Sequence, residues 1–262
     1  MILYHMIHYV CIATENKFYL PYLKQLTPNL IILGMDMKWE GYMMKPKLVN
    51  EYLKTLHNND IVCIIDAYDI LPTKNIVNLE KKYINLCKKK SDIKMIVGSE
   101  EVHYNSIKKG LSNTIFKEYE GCTLNAGQIM GYVKNIKYYY NYILSLPKSY
   151  LEDNYNDDQI ILTKYILSLN NKNEVYIDKN KYFFHVGCKP LQQITVPNSN
   201  VCFVHAAFNG LMDKFLLEHH NIDITMKDKS IIYKESLKQM IKKTIYYFNI
   251  LRRKIINVYV DK

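Results

Sequence analysis

Short apolar runs alternate with longer stretches in which apolar positions recur every three or four residues, through the first two thirds of the chain. Ile7–Ala13, Leu30–Leu33, Ile61–Ile65 and Ile93–Gly98 read as strands, and Glu15–Gln25, Lys47–His57 and Ile76–Lys89 between them read as helices. The β-α-β-α rhythm predicts an α/β fold with a mostly parallel central sheet and helices on its faces. Cys122–Tyr132, Val175–Ile177, Phe183–Val186 and Val201–His205 add strand-like runs, and a further helix is expected from about Asp157 to Leu169.

The pattern changes near the end. From Ser236 to Val258 apolar residues fall at Leu237, Met240, Ile241, Ile245, Phe248, Leu251, Ile255 and Val258, with Lys and Arg interleaved. This predicts a basic amphipathic helix, which serves either to pack on the body with a solvated basic face or to lie on a membrane surface. Two regions follow from this division, a body over residues 1–225 and a helical tail over 226–262.

Charge sharpens the division. The net charge is +10, and residues 227–262 carry ten Lys or Arg against three acids, so the tail supplies most of the excess. The body is near balance, and no nucleic-acid partner is expected of it. Six scattered cysteines without a CxxC pair, several inside apolar runs, fit buried thiols in a reducing compartment. No run reaches the length of a membrane span, and the apolar start lacks a basic leader. A cytoplasmic location is expected, with surface contact through the tail as the only membrane association. Oligomeric state is not legible.

Chemistry concentrates after the third strand. The run IVCII ends in Asp66, and Asp69 follows three residues later. Ligands of parallel sheets bind beyond the carboxyl ends of strands. A single aspartate before Pro72 reads as a turn cap, whereas the pair also suits a hard cation such as Mg²⁺ or Mn²⁺ with substrate phosphates. His205 and His185 each end an apolar run, where a histidine serves as an ordinary strand end or as a metal ligand. Asn125 and Gly127 lie within a strand-like run. A strand glycine marks a bulge or the close approach of a ligand, and a buried asparagine needs partners from main chain or from ligand hydroxyls. Asp157 and Asp158 precede a helical pattern, where one or both suit the N-cap.

VCIIDAYDILPT resembles the strand and acidic turn of the glycosyltransferase domain of the procollagen lysyl hydroxylases, a GT-A-like fold that uses nucleotide-diphospho-sugars. Other segments follow in that family's order: VCIATENKFY with Ala13–Thr14, LGMDMKWEGYMMKPKLVNEYLK with Trp39, Gly41 and Lys47, MIVGSEE, TLNAGQIMGY, DNYNDDQIILTKYI and VHAAFNG. The resemblance spans residues 7 to about 210. It implies a mixed, mostly parallel GT-A-like sheet and a metal site of Asp66, Asp69 and His205, with His185 as the rival ligand. Mn²⁺ is the expected cofactor, Mg²⁺ the alternative, and a UDP-sugar the donor. Tyr68 is then expected to stack on uracil, with Thr14, Trp39, Lys47 and Gly127 also on the donor. Asn125, Asp157 and Asp158 are expected to carry the sugar and acceptor chemistry, one carboxylate stabilising positive charge or taking the acceptor's proton.

The implied activity is transfer of glucose or galactose to a hydroxylysine-type or glycan acceptor. Two departures bear on it. Ala206–Ala207–Phe208 replaces the family's Gly-Asn-Gly after the histidine, which removes a polar contact or shifts it to Asn209. The family's oxygenase domain is not expected here, so the resemblance does not guarantee collagen as the acceptor. A domain of another class, binding nucleotide or glycan without turnover and tethered by its basic tail, is the alternative.

Overall fold

The computed structural model describes residues 6–101, 122–188, 191–196, 200–207 and 210–260. Six strands form the central sheet in the order β2-β1-β3-β6-β5-β7. They are β1 (Ile7–Ile12), β2 (Ile31–Leu33), β3 (Ile61–Asp66), β5 (Met95–Glu101), β6 (Cys122–Tyr132) and β7 (Val175–Ile177). β1 pairs in parallel with β2 and β3, and β5 with β7, while β6 runs antiparallel to both of its neighbours. The sheet is thus mixed and mostly parallel. The rhythm of the sequence exposed the parallel part but not the reversal at β6.

Helices cover both faces. α1 (Leu20–Leu26), α2 (Met44–Leu53), α3 (Leu79–Lys89), α4 (Val133–Ser145), α5 (Lys148–Asp153) and α6 (Asp158–Ser168) are followed by α7 (Asp213–His220) and the long α8 (Met226–Val260). One apolar cluster joins alternate residues of β1 and β3 (Tyr9, Cys11, Cys63, Ile65) to α1 and α3. The intervening residues Val10, Ile12, Val62 and Ile64 join α2, α4 and α6 on the other face. That period-2 division of continuously apolar strands is what burial on both faces produces.

Boundaries shift where backbone geometry overrides side-chain pattern. α1 begins at Leu20 rather than at Glu15, because Phe18 sits at φ 53° and Pro21 occupies the first turn. α2 begins at Met44, ahead of the expected Lys47, since Pro46 is tolerated in a first turn.

A second sheet was not foreseen. β4 (Ile70–Pro72), β9 (Phe203–His205) and β8 (Phe184–Val186) pair in that order, β4 antiparallel to β9 and β8 parallel to it. The turn expected after Asp69 is therefore a short strand, paired Ile70 to His205. This sheet is what carries a late segment of the chain back to the acidic turn.

The tail forms one helix of 35 residues, α8, about 52 Å long. Ile232 is buried in the main core and Ile250 against Ile160 of α6. Leu237, Ile241, Ile245 and Phe248 are exposed on the outer side. Among the described residues, no helix is long and apolar enough to cross a membrane.

Candidate functional site

Asp66 is the last residue of β3, and Asp69 immediately precedes β4. Pairing of β4 with β9 sets Ile70 opposite His205, and the Ala206 N–H donates to the Asp69 carbonyl at 2.7 Å. His205 Nε2 then lies 3.3 Å from Asp69 Oδ1. Asp66, Asp69 and His205 each offer a ligand atom within 4.8 Å of the others. An octahedral ion with bonds of ~2.1 Å separates opposite ligands by about 4.2 Å, so only a small inward adjustment is needed.

Two further observations fit a cation there. His205 is buried, and its Nδ1 has no partner among the described residues. A Cβ added at Gly127 would lie 2.6 Å from His205 Cε1, 2.7 Å from Asp66 Oδ2 and 2.9 Å from Asn125 Oδ1. The glycine is required by this crowding, which keeps the strand close to the cluster. Two carboxylates and an imidazole form a donor set suited to Mn²⁺ or Mg²⁺.

β6 supplies the floor. Its antiparallel register sets Gln128 opposite Ile65, so Gly127 comes level with Asp66. On the other side, Val97 pairs with Ile129 but Gly98 pairs with Asn125, leaving Ala126, Gly127 and Gln128 without counterparts on β5. This bulge frees the Ala126 carbonyl, which accepts from Lys45 Nζ at 2.7 Å. Asn125 donates to Glu100 Oε1 and accepts from the Gly127 N–H at 2.9 Å.

Lys45 is the cation among the carboxylates. It is buried, with Nζ 2.9 Å from Asp66 Oδ1 and 3.4 Å from Asp158 Oδ2. Lys47 lies instead on the exposed side of α2. Residues two apart on a helix are separated by roughly 200°, so only one of these lysines can face the sheet. The resemblance pointed to Lys47 as the lysine after Trp39 and Gly41; the phase of α2 turns Lys45 to the carboxylates instead.

Electrostatics follow from this packing. Burial works to raise the Asp66 pKa, but Lys45 and His205 outweigh it and hold the carboxyl below its ordinary range. Burial raises Asp158, opposed by Lys45 and reinforced by Asp66, with a net upward shift. Burial alone would lower the His205 imidazole, yet Asp69, Asp66 and Glu100 pull it upward.

The two aspartates before α6 divide their work. Asp157 caps the helix, accepting from the N–H groups of Gln159 at 3.0 Å and Ile160 at 3.1 Å. Burial, with Asp158 adjacent, raises its pKa to about 7. Asp158 is the one directed at Lys45.

Tyr68 lies between Asp66 and Asp69 in the chain. Its hydroxyl accepts from the Thr14 and Glu15 N–H groups at 3.0 and 3.1 Å, tying the acidic turn to the loop after β1. Its ring meets Phe18 at 5.8 Å, with Lys17 Nζ 5.2 Å from the ring centre. Thr14 is buried beside it.

Trp39 is 48% exposed and stands edge-on to Tyr42 at 6.2 Å. Tyr42 in turn meets Tyr246 of α8 at 6.2 Å. Tyr246 also places its hydroxyl 3.4 Å from Asp157 Oδ2.

His185 ends up beside Val204 rather than His205 in the parallel β8/β9 register. Alternation then turns its side chain to the opposite sheet face, away from the cluster. Phe208 and Asn209 lie outside the described residues; Ala206 and Ala207 are buried. Sequence reasoning missed Lys45, Glu100 and Tyr246. The spacing of Lys45 from Val49 and Leu53 on one helical face was the available signal for the first.

Comparison with known proteins agrees with the resemblance. One solved structure, described as a glycosyltransferase involved in glycosylation of the major capsid of PBCV-1, is similar at 11% identity with a TM-score of 0.47. The similarity covers 77% of this chain and 94% of that one. No curated protein matches. Residues 5–210 match the PLOD GT domain, and the chain belongs to that family of lysyl hydroxylase glycosyltransferase domains.

Proposed function

We infer that the protein transfers a hexose, glucose or galactose, from a UDP-sugar to a hydroxylysine-type or glycan acceptor. The observation that supports this best is the convergence of Asp66, Asp69 and His205 beside the glycine cradle at Gly127. Those three residues would hold Mn²⁺ or Mg²⁺, which neutralises charge on a departing diphosphate. Lys45 restrains Asp66 and Asp158 through its ion pairs. Asp158 and Asn125 face the side where sugar and acceptor meet, and Asp158 is the carboxylate available to a developing positive charge or an acceptor proton. Asp157 is occupied by its capping bonds. Tyr68 offers its ring to the uracil, and Thr14 lies beside it; Trp39 borders the donor side farther out.

UDP release from a panel of UDP-sugars, with Mn²⁺ and with EDTA, tests the reading. Release from UDP-glucose or UDP-galactose that needs the cation and an acceptor supports it. Equal release in EDTA, or none from any donor, overturns it.

A second reading is a domain that binds nucleotide or glycan without turnover. It is favoured by the buried Ala206–Ala207 pair, which offers the site no polar side chain after His205. Thermal stabilisation by Mn²⁺ and UDP without turnover of any donor would select it. Contact with a membrane surface belongs to the same proposal. The exposed stripe Leu237, Ile241, Ile245 and Phe248 runs beside Lys234, Lys238 and Lys242 on α8, a combination that suits anionic lipid. Sedimentation with anionic but not neutral vesicles, lost on Ile241→Glu, is the expected result.

A further inference from the structure

α8 begins at Met226, beyond the family match that ends at residue 210, yet it reaches Asp157 and Tyr42. Its inner side is continuous there. Tyr246 touches both Asp157 and Tyr42, and Tyr246 and Tyr247 pack with Ile250 against Ile160 and Tyr155. Lys243 is half-buried, three residues before Tyr246 and seven before Ile250. Positions i, i+3 and i+7 share one helical face, so the contacts of Tyr246 and Ile250 fix the direction of Lys243. Lys243 therefore faces the body on the side where Tyr246 meets Asp157, whose neighbour Asp158 pairs with Lys45.

The arrangement is built as a wall. Ile232 and Ser236 are buried at one end of α8 and Ile250 at the other, so the segment between them is held against the body at both ends. Asp66, Asp69 and Asp158 gather negative charge around Lys45 and His205, to which a nucleotide sugar would add its diphosphate. Lys45 is committed to Asp66, Asp158 and the Ala126 carbonyl. Lys243 adds a second cation, from outside the matched domain, on the face of α8 that Tyr246 turns to Asp157.

We propose that α8 is one wall of the donor site and that Lys243 is a binding residue for the diphosphate of the nucleotide sugar, positioned by the Tyr246 clamp on Asp157. This rests on the UDP-sugar reading above. It adds that donor binding depends on the chain beyond the matched domain, through charge from Lys243 and placement from Tyr246.

The test compares calorimetric binding of UDP and of uridine, each with Mn²⁺, to the full chain. Variants are Lys243→Ala, Lys243→Arg and Tyr246→Phe, with melting temperatures recorded alongside. Loss of one charge contact to the diphosphate should weaken UDP about tenfold in Lys243→Ala. Uridine, which has no phosphate, should bind all variants like wild type, and Lys243→Arg should recover most of the loss. Tyr246→Phe should weaken UDP in the same direction with a smaller change. If Lys243→Ala binds UDP within about twofold of a wild type that itself binds UDP, the wall carries no diphosphate contact and the inference is overturned while the donor reading stands. A parallel loss of uridine would assign Lys243 to support of the fold and equally overturn it. A wild type that binds no UDP overturns the donor reading and this inference together.

Discussion

Lys45 reaches from α2 to the end of β3, where its ammonium lies 2.9 Å from Asp66 Oδ1. It is the central countercharge of a cluster whose other members would be repelled without it. Lys45→Met keeps the length of the side chain but removes the ammonium that pairs with Asp66 and Asp158. Breaking a buried pair costs ~3–5 kcal/mol, and the lower end applies here because the Asp66 side chain is 42% exposed. Urea unfolding in EDTA should show that loss; an unchanged midpoint would mean the lysine is not restraining the carboxylates.

Gly127→Ala tests the cradle without replacing any of the three proposed ligand residues. Its methyl would lie 2.6 Å from His205 Cε1 and 2.7 Å from Asp66 Oδ2, so one of them must move. The variant should fold, since Gly127 has no positive-φ requirement, but should lose the thermal shift that Mn²⁺ gives the wild type. A Mn²⁺ shift equal to that of the wild type would place the cation elsewhere.

Asp157 makes stability depend on pH. Its carboxyl moves from an ordinary 3.8 to about 7 in the folded chain, chiefly through burial. Below about pH 4 both folded and unfolded chains hold the proton, and the contribution to stability is complete. As pH rises toward 7 the unfolded chain releases the proton first, and stability falls by roughly 4 kcal/mol at the most. Asp157→Asn, which still caps α6, should flatten this part of the profile. Melting temperatures from pH 4 to 8 decide it, and a variant with the wild-type slope would contradict the assignment.

Tyr68 separates two uses of one side chain. Tyr68→Phe removes the hydroxyl that receives the Thr14 and Glu15 N–H groups, and should cost about 1 kcal/mol of stability. It retains the ring, so uridine binding should persist. Tyr68→Ala should lose ~1–3 kcal/mol of uridine affinity. Equal uridine binding by all three proteins would remove the ring from the nucleotide site.

What was legible in the chain follows from how local each determinant is. The carboxylate pair stood out because a run as apolar as IVCII ends in charge, and β3 forms there as expected. His205 could not be chosen over His185 from residues alone, since both end apolar runs. The choice is made by β4 and by the β8/β9 register, neither of which has a local signature in three residues. Lys45 and Lys47 differ only in helical phase, which Pro46 obscures by making α2 seem to start after it. The reversal of β6 was hidden because an apolar strand buried on both faces reads the same in either direction. The tail was recognisable as an amphipathic helix. That its inner face meets Asp157 and Tyr42 depends on tertiary packing, which no periodicity records.

The most direct measurement is diffraction from crystals grown with Mn²⁺ and UDP-glucose, recorded where manganese scatters anomalously. A single anomalous peak bonded to Asp66, Asp69 and His205, with the diphosphate on its remaining positions, is the expected result. Bound UDP with no metal at those three residues, or a manganese peak held by other side chains, would contradict the central assignment.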